Sequence, residues 1–142
     1  MAAKTARDIM TPECTCVGED DTVLDAAKRL AELNVGSMPI CGSDDRLKGM
    51  LTDRDIVVKV LAKDKDPSST RVGELATQGE VVTIGADDSL DEAVRTMKKH
   101  KVRRLPVIDG TELVGMVSQA DLAKNLPNDK VGELVEVISA AP

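Results

Sequence analysis

Two segments of the chain repeat the same three kinds of residue at the same spacing. Each has a glycine, a residue with a hydroxyl group three positions later, and an aspartate three positions after that. They are Gly49, Thr52 and Asp55 in the first segment, and Gly115, Ser118 and Asp121 in the second. A carboxylate could accept hydrogen bonds from both hydroxyls of a ribose, a hydroxyl at a helix start could donate to a phosphate, and a glycine lets a ligand approach the backbone. The same spacing is also a helix N-cap pattern, which needs no ligand. The two segments are therefore candidate ligand sites, with helix caps as the alternative.

An apolar triplet with a central proline precedes each segment, at Met38–Ile40 and at Leu105–Val107. The two prolines are 67 residues apart and the two glycines 66, so the chain contains a duplication of a whole structural unit. Apolar side chains at these positions could form a dry wall against a purine. The candidate wall residues are Met38, Pro39, Met50, Leu105, Pro106 and Met116. Stacking of a base on an aromatic ring is excluded, because the chain has no Phe, Tyr or Trp.

The residues before the two triplets differ in charge. Arg103 and Arg104 precede the second triplet, whereas Gly36 and Ser37 occupy the matching positions of the first. Guanidinium groups suit phosphates, so the second triplet should face a nucleotide that carries more negative charge. Arg54, whose counterpart in the second segment is an alanine, compensates in part. The alternative for the arginines is a solvated strand edge or a surface ion pair.

The elements that must position these residues follow from hydrophobic spacing and capping. Apolar residues at helical spacing, after caps at Thr22 and Ser89, predict one helix before each triplet. Three strands are predicted in each copy: Cys14–Val17, Met38–Cys41 and Lys48–Leu51 in the first, and Val81–Ile84, Leu105–Ile108 and Leu113–Val117 in the second. Each copy then reads strand, helix, strand, strand, helix. The predicted fold class is α/β (α+β), with tandem β-α-β-β-α repeats packed with pseudo-twofold symmetry.

The predicted organisation is a single module over residues 1–142. It consists of a first repeat at 5–62, a linker at 63–70, a second repeat at 71–126, and a C-terminal segment at 127–142 with helical apolar spacing. The formal net charge of −6 argues against general affinity for nucleic acid or anionic lipid. No apolar run has the length of a membrane span or a signal peptide, so the expected location is the cytoplasm.

The paired Gly-x-x-Thr/Ser-x-x-Asp segments, in register with the proline triplets, resemble the CBS domain family, whose repeats pair into a unit called a Bateman module. The resemblance covers nearly the whole chain and implies adenosine-containing ligands bound between the repeats, with no required cofactor. It implies AMP, ADP, ATP, NAD or S-adenosylmethionine as candidate ligands, and a homodimer formed through helices. The candidate ligand-binding residues are Met38, Pro39, Gly49, Met50, Thr52, Arg54, Asp55, Arg103, Arg104, Leu105, Pro106, Gly115, Met116, Ser118 and Asp121.

Two further stretches, Ala6–Met10 and Leu51–Ile56, resemble small stand-alone bacterial members of the family, including the hypoxic response proteins of mycobacteria. That resemblance implies a signalling role in a bacterial stress response. The sequence identifies no effector protein.

The three cysteines, Cys14, Cys16 and Cys41, leave several states open. Cys14 and Cys16 fall on one face of the first predicted strand and Cys41 ends the next, so a bridge is geometrically feasible. The resemblance to the mycobacterial proteins favours Cys16 with Cys41 if a bridge forms. In a reducing cytosol the alternative is three small buried thiols. A metal site of these residues with His100 has suitable ligand types but no recognised spacing, so none is expected.

Catalysis is disfavoured by the residue types available. The only histidine, His100, ends a predicted helix in a basic run, and no Ser-His-Asp or Cys-His arrangement can be built around it. Asp53 and Asp55 lie on different sides of a helix start, which does not suit acid-base chemistry. We therefore expect a non-catalytic sensor of adenine nucleotides. The alternative is an interaction protein that dimerises through an apolar helix containing Val57 and Leu61 and holds no nucleotide.

Overall fold

A computed structural model describes residues 4–12, 15–44, 46–75 and 81–139. The chain divides into two compact units. The first-repeat unit is Thr15–Val81, and the second-repeat unit combines Met1–Cys14 with Val82–Pro142. The second-repeat unit is therefore discontinuous in sequence.

Each unit contains a small sheet with helices, which confirms the mixed α/β class. The α-helices are α1 (Ala6–Ile9), α2 (Val23–Leu33), α3 (Asp53–Ile56), α4 (Leu90–His100), α5 (Gln119–Ala123) and α6 (Asn128–Ser139). The strands are β1 (Thr11–Pro12), β2 (Val17–Gly18), β3 (Ser37–Cys41), β4 (Leu47–Thr52), β5 (Ile84–Gly85), β6 (Arg104–Asp109) and β7 (Glu112–Ser118). A π-helical turn, Val57–Leu61, continues α3, and a 3₁₀ turn spans Val72–Leu75. No helix in the described part of the chain has the length and apolarity needed to cross a membrane.

The first-repeat unit has a three-stranded sheet in the order β2-β3-β4. β2 pairs with β3 in parallel and β3 with β4 antiparallel, as a strand-helix-strand crossover followed by a hairpin requires. Helix α2 begins where the Thr22 hydroxyl accepts a hydrogen bond from the Asp25 N–H at 3.2 Å, and it ends at Asn34 in the left-handed conformation. Its apolar face packs into a core built entirely from aliphatic side chains and methionine.

The second-repeat unit has a four-stranded sheet in the order β1-β7-β6-β5, with the same parallel and antiparallel pairings for β5, β6 and β7. Helix α4 begins at Ser89, whose hydroxyl accepts from the Glu92 N–H at 3.1 Å. It ends at Lys101, which takes the left-handed conformation that Asn34 takes in the first unit. The predicted helix starts at Thr22 and Ser89 are both confirmed.

The first strand of each copy is shorter in the structure than the sequence predicts, and it begins later. Of Cys14–Val17 only the last residue is in β2, and of Val81–Ile84 only the last is in β5; Cys14 itself lies outside the described residues. Each of these strands pairs over two residues, Val17 and Gly18 with β3 and Ile84 and Gly85 with β6. Propensity alone does not indicate where that pairing begins, because a strand is defined by its partner.

The N-terminal segment packs in the second-repeat unit, although the sequence assigns residues 5–62 to the first repeat. Strand β1 pairs antiparallel with β7, with Thr11 opposite Met116. The N–H of Ala6 donates to the Asp88 carbonyl oxygen at 2.9 Å. The Arg7 guanidinium donates to Asp109 at 3.0 Å, and this bond raises the pKa of Arg7. The segment thereby completes the sheet of the repeat that lies at the other end of the sequence.

The predicted linker, 63–70, packs in part on the first repeat. The N–H groups of Val23 and Leu24 in the first turn of α2 donate to the carbonyl oxygens of Thr70 and Pro67 at 2.9 and 3.0 Å. Thr70 is buried, and its hydroxyl donates to the Asp66 carbonyl oxygen at 2.8 Å. Ser68 donates from its hydroxyl and its N–H to the Asp66 carboxylate, which lowers the pKa of Asp66. This segment therefore supplies acceptors that the start of α2 needs.

Gly115 in β7 has no room for a side chain. A Cβ at this position would lie 2.7 Å from the Thr11 carbonyl oxygen and 2.6 Å from the Met10 sulfur. We expect Gly115→Ala to lower the free energy of unfolding by about 1–3 kcal/mol, because the backbone of β1 must move away from β7. Urea denaturation followed by circular dichroism measures this change.

The matched control is Gly132→Ala in α6, where a Cβ would have no atom within 4 Å. That substitution should raise the free energy of unfolding by about 0.5–1 kcal/mol, because alanine loses less backbone entropy in a helix. Equal effects of the two substitutions would contradict the proposed contact between Gly115 and β1.

Candidate functional site

In the first-repeat unit, the hydroxyl and carboxylate of the repeated motif form a reciprocal helix cap. Thr52 ends β4 and caps α3: its hydroxyl accepts from the Asp55 N–H at 3.0 Å, and the Asp55 carboxylate accepts from the Thr52 N–H at 3.0 Å. The N–H of Asp53 donates to the Gly36 carbonyl oxygen at 2.9 Å. The chain therefore turns from strand to helix on hydrogen bonds that the motif itself provides.

The second-repeat unit repeats this arrangement. The Ser118 hydroxyl accepts from the Asp121 N–H at 3.1 Å, and the Asp121 carboxylate accepts from the Ser118 N–H at 2.9 Å. The N–H of Gln119 donates to the Arg103 carbonyl oxygen at 2.9 Å. The two motifs thus have the same backbone geometry, and any difference in what they bind comes from the side chains around them.

The caps use only part of each motif's hydrogen-bonding capacity. A hydroxyl oxygen that accepts a hydrogen bond can still donate its own proton, and a carboxylate has further lone pairs on both oxygens. The sequence also predicts that the helix dipole assists a phosphate here. Because α5 is only 5 residues long, that contribution is small in the second repeat, and strong phosphate binding there must come from side chains.

Asp55 has a cationic neighbour in its own helix. Its second carboxylate oxygen is 3.4 Å from the Lys59 ammonium, whereas the carboxylate oxygen toward Thr52 serves the cap. At the position that corresponds to Lys59 the second repeat has Asn125, whose amide donates to the Asp121 carbonyl oxygen at 2.8 Å. The Asp121 carboxylate therefore accepts the cap hydrogen bond from the Ser118 N–H, but has an asparagine where Asp55 has Lys59.

The first-repeat unit has a groove of about 520 Å³ where α2 ends and α3 begins. It is lined by Ala27, Leu30, Ala31, Asn34, Val35, Gly36, Asp53, Ile56 and Val57. Among these described residues Asp53 is the only charged one. Its carboxylate accepts from the Arg54 N–H at 2.8 Å, and a Cβ on Gly36 would lie 3.4 Å from it. The groove thus has a mixed polar and apolar lining, with one negative charge at the level of the cap.

The second-repeat unit has a groove of about 400 Å³ at the start of α5. It is lined by Arg103, Arg104, Ser118, Gln119, Ala120 and Ala123. Three predicted site residues, the two arginines and the cap serine, therefore line one cavity. Both arginines are exposed, and the described lining contains no acidic side chain. This groove is suited to an anion.

The apolar wall consists of fewer residues than the sequence suggests. Met38 and Leu105 are 2 % and 0 % exposed and lie in the cores of their units, so they are not available to a ligand. Side chains alternate along a strand, and these two positions point inward. Met50 and Met116, which lie opposite Pro39 and Pro106 in the strand pairs, are half-buried and remain candidates for the contact with a purine.

Two other predicted positions have a different environment from the one expected. Gly115 is in close contact with Met10 and Thr11 of the chain itself, so its lack of a side chain serves packing and not the approach of a ligand. Arg54 is exposed in the first turn of α3 but does not line the groove of its unit. Gly49 is buried in β4 opposite Ile40.

The structure joins Cys16 and Cys41 in a disulfide, with their Cα atoms 5.9 Å apart. Cys16 precedes β2 and Cys41 ends β3, so the bridge links neighbouring strands of the first-repeat unit. Over residues 4–12, 15–44, 46–75 and 81–139, no three His, Cys, Asp or Glu side chains converge as metal ligands.

Sequence reasoning missed several residues that line the grooves or act beside them. The repeat pattern indicates Gly36 only as the counterpart of Arg103, and Asp53 only as a candidate for catalysis. It gives no signal for Gln119, the counterpart of Asp53. The spacing of Asp55 and Lys59, four residues apart in a helix, was a readable signal of an ion pair. The groove itself could not be predicted from the sequence, because it depends on how the end of α2 packs beside the start of α3.

Comparison with known sequences places two copies of one family model on the chain. The CBS domain model matches residues 6–62 and 72–128. Hypoxic response protein 1 of Mycobacterium tuberculosis is 48 % identical over 134 residues, which cover 94 % of this chain and 93 % of that protein. A crystal structure of Hypoxic Response Protein I with two coordinated zinc ions has 50 % identity and a TM-score of 0.81, and covers 87 % of this chain and 100 % of its own.

Two solved structures of more distant proteins contain adenosine ligands. One is CBSX2 in complex with AMP, at 26 % identity and a TM-score of 0.74, covering 86 % of this chain and 95 % of its own. The other is the CBS domain pair of protein MJ0100 with 5′-methylthioadenosine and S-adenosylmethionine, at 27 % identity and a TM-score of 0.75, covering 87 % and 95 %. With two family matches and a relative of nearly half identity over almost its whole length, this chain belongs to the CBS domain family.

Proposed function

We propose that the protein is a non-catalytic regulatory module that binds adenosine-containing ligands of the AMP, ADP and ATP class. The observation that carries the proposal is the groove of the second-repeat unit, where Arg103, Arg104 and the cap residue Ser118 line one cavity. Guanidinium groups and a hydroxyl are the donors that a phosphate needs. The complexes of CBSX2 with AMP and of MJ0100 with adenosine compounds support the same ligand class in this fold.

The ribose would be recognised by the aspartate of each motif. Asp121 is half-buried and holds the Ser118 N–H, so its carboxylate is fixed in position before a ligand arrives. A fixed carboxylate can accept from the 2′ and 3′ hydroxyls without a large loss of side-chain entropy. The purine would pack on the exposed parts of Met50 or Met116. A response to the ligand then requires that it bind two conformations of the protein with different affinity.

The test is equilibrium dialysis of the whole chain against AMP, ADP, ATP, NAD and S-adenosylmethionine, with bound ligand measured by its absorbance. The chain has no Trp or Tyr, so the adenine signal is nearly free of a protein background. We expect saturable binding of at least one nucleotide and weaker binding of its 2′-deoxy analogue, because one ribose hydroxyl is lost. Free adenine is the control for binding through the base alone. Absence of saturable binding to all five compounds would contradict the proposal.

A second candidate function is assembly without a nucleotide, and one surface favours it. In the π-helical turn after α3, Val57, Val58 and Leu61 are 54 %, 43 % and 54 % exposed, whereas Val60 is fully buried. Exposed apolar side chains grouped in this way are typical of interfaces. A homodimer through this surface is part of the proposal, and its mass in solution is measured by light scattering. A dimer that binds none of the five compounds would favour the assembly function.

A further inference from the structure

Helix α6 covers one face of the second-repeat unit, the face formed by α4 and α5. Leu134 and Ile138 of α6 are buried in the core of that unit. The same core contains Val94 and Met97 from α4 and Leu122 from α5. The apolar side of α6 therefore buries apolar side chains that this pair of helices would otherwise leave open to water.

The first-repeat unit has the same pair of helices without a counterpart of α6. Helices α2 and α4 begin 67 residues apart, and α3 and α5 begin 66 apart. In this correspondence the core residues Val94, Met97 and Leu122 match three residues that line the groove between α2 and α3: Ala27, Leu30 and Ile56. No α-helix follows α3 among the described residues of this unit, and the chain returns instead to the start of α2.

The two charges that α4 presents to α6 are replaced by apolar side chains in α2. Asp91 and Lys98 of α4 form ion pairs with α6 at 3.0 and 3.2 Å. Their counterparts in α2 are Leu24 and Ala31, and both are exposed. A helix with the charges of α6 would therefore find no ionic partner at these two positions. The surface is better suited to an apolar partner.

This surface also has apolar side chains that project beside its groove. Val57 lines the groove and is more than half exposed, and Leu61, four residues later, is exposed to the same extent. A surface with both a recess and projecting apolar groups can be complementary to itself, as a twofold interface requires. Asp53, the charged residue of the described lining, is exposed and can stay hydrated at the edge.

We propose that this first-repeat face docks on the same face of a second copy, and that α6 keeps the second repeat out of the contact. The first-repeat face comprises the groove together with Leu24, Ala31, Val57 and Leu61. The dimer is isologous and closes at two chains, because the corresponding face of the second repeat is already covered. This inference rests on the homodimer in the proposed function, and it adds which repeat forms the contact and what restricts it.

The experiment is sedimentation equilibrium of the whole chain and of two single variants, Val57→Lys and Val135→Lys. Both substitutions add one positive charge at an exposed valine, the first on the first-repeat face and the second on α6. We expect Val57→Lys to raise the dissociation constant of the dimer by about 30-fold or more, because a charge is buried in the contact. Val135→Lys should leave it unchanged. Circular dichroism checks that both variants are folded.

Three outcomes would overturn the inference. Two of them, a dimer that survives Val57→Lys or a dimer that Val135→Lys dissociates, would place the contact elsewhere and leave the homodimer standing. A parent that stays monomeric at every concentration would remove the homodimer too. None of these results concerns nucleotide binding, which the dialysis experiment measures independently.

Exchanging residues between the repeats tests the cause without changing the net charge. The double substitution Leu24→Asp with Ala31→Lys gives α2 the two charges that α4 presents to α6. Both positions are exposed, so the unit should still fold. We expect the dimer to dissociate, since each copy would bring unpaired charges into the contact. An unchanged dissociation constant would contradict the role of this face.

Hydrogen exchange tests whether the second repeat is kept out. Amides of α2 and of the π-helical turn after α3 should exchange more slowly in the parent dimer than in either dissociated variant. Amides of α4 and α5 should exchange at the same rate in all three proteins. Slower exchange of α4 and α5 in the dimer would show that the second repeat takes part, and would overturn the role given to α6.

Discussion

Replacing Asp121 with alanine is expected to weaken AMP binding by about 10- to 100-fold, which is the worth of hydrogen bonds to one charged group. The carboxylate accepts a hydrogen bond from the Ser118 N–H at 2.9 Å, which fixes its orientation. We propose that it accepts hydrogen bonds from the ribose hydroxyls of the ligand. The same substitution removes half of the reciprocal cap of α5, so the free energy of unfolding should fall by about 1 kcal/mol. Titration calorimetry and urea denaturation measure the two effects separately.

Two comparisons distinguish ribose binding from a purely structural role. A 2′,3′-dideoxy analogue of AMP should bind the parent and Asp121→Ala with the same affinity, because neither complex can use the lost hydroxyls. Asp55→Ala should weaken AMP binding less than Asp121→Ala does, since Asp55 is already paired with Lys59 and Asp121 belongs to the unit whose groove contains two arginines. If Asp121→Ala bound AMP as tightly as the parent does, the ribose assignment would be wrong.

The largest expected loss of stability comes from Leu134 in α6. Leu134 is fully buried and belongs to the core of the second-repeat unit, together with Leu105, Leu122 and Ile138. Leu134→Ala removes buried methyl groups and leaves a cavity, so the free energy of unfolding should fall by about 2–5 kcal/mol. Urea denaturation followed at a helix-sensitive wavelength measures it, since the chain has no tryptophan to report on unfolding.

The adjacent residue provides the control. Val135 lies on the same helix and is 38 % exposed, so Val135→Ala should change the free energy of unfolding by much less than Leu134→Ala does. The ion pairs of α6, Lys98 with Glu133 and Lys130 with Asp91, are exposed and should contribute little. Similar losses for Leu134→Ala and Val135→Ala would show that α6 is held by helix propensity and not by its buried face.

Much of the fold could be predicted because its signals are local. Four helices begin at a residue with a hydroxyl group that is followed three positions later by an acidic residue. These starts are Thr22, Ser89, Thr52 and Ser118, and each forms the expected cap. The hairpins follow from turn residues between apolar runs. The docking of β1 on β7 could not be read in this way, because two residues carry no pattern and their partner strand lies a hundred residues further on.

The candidate site was predicted less completely, for a physical reason. Repetition indicates the motif residues, but a repeated residue can lie in the core, as Met38 and Leu105 do. Arg103 and Arg104 differ from their counterparts in the first repeat, and they line a groove with Ser118. Asp53 also differs from its counterpart, Gln119. Its role depends on the groove that it lines, and a single sequence does not show where a cavity forms.

The docking of β1 also bears on how the chain folds as it is made. Thr11 pairs with Met116, so the second-repeat unit gains its edge strand only when residues 105 positions apart meet. During synthesis α1 and β1 are made well before β7, so they have no partner strand until β7 is made, whereas Thr15–Val81 is contiguous and holds all the residues of its unit. Closing so long a loop is slow compared with the local steps of a helix or a hairpin. A segment that is synthesised about a hundred residues before its partner strand is therefore among the last parts of its unit to reach its native place.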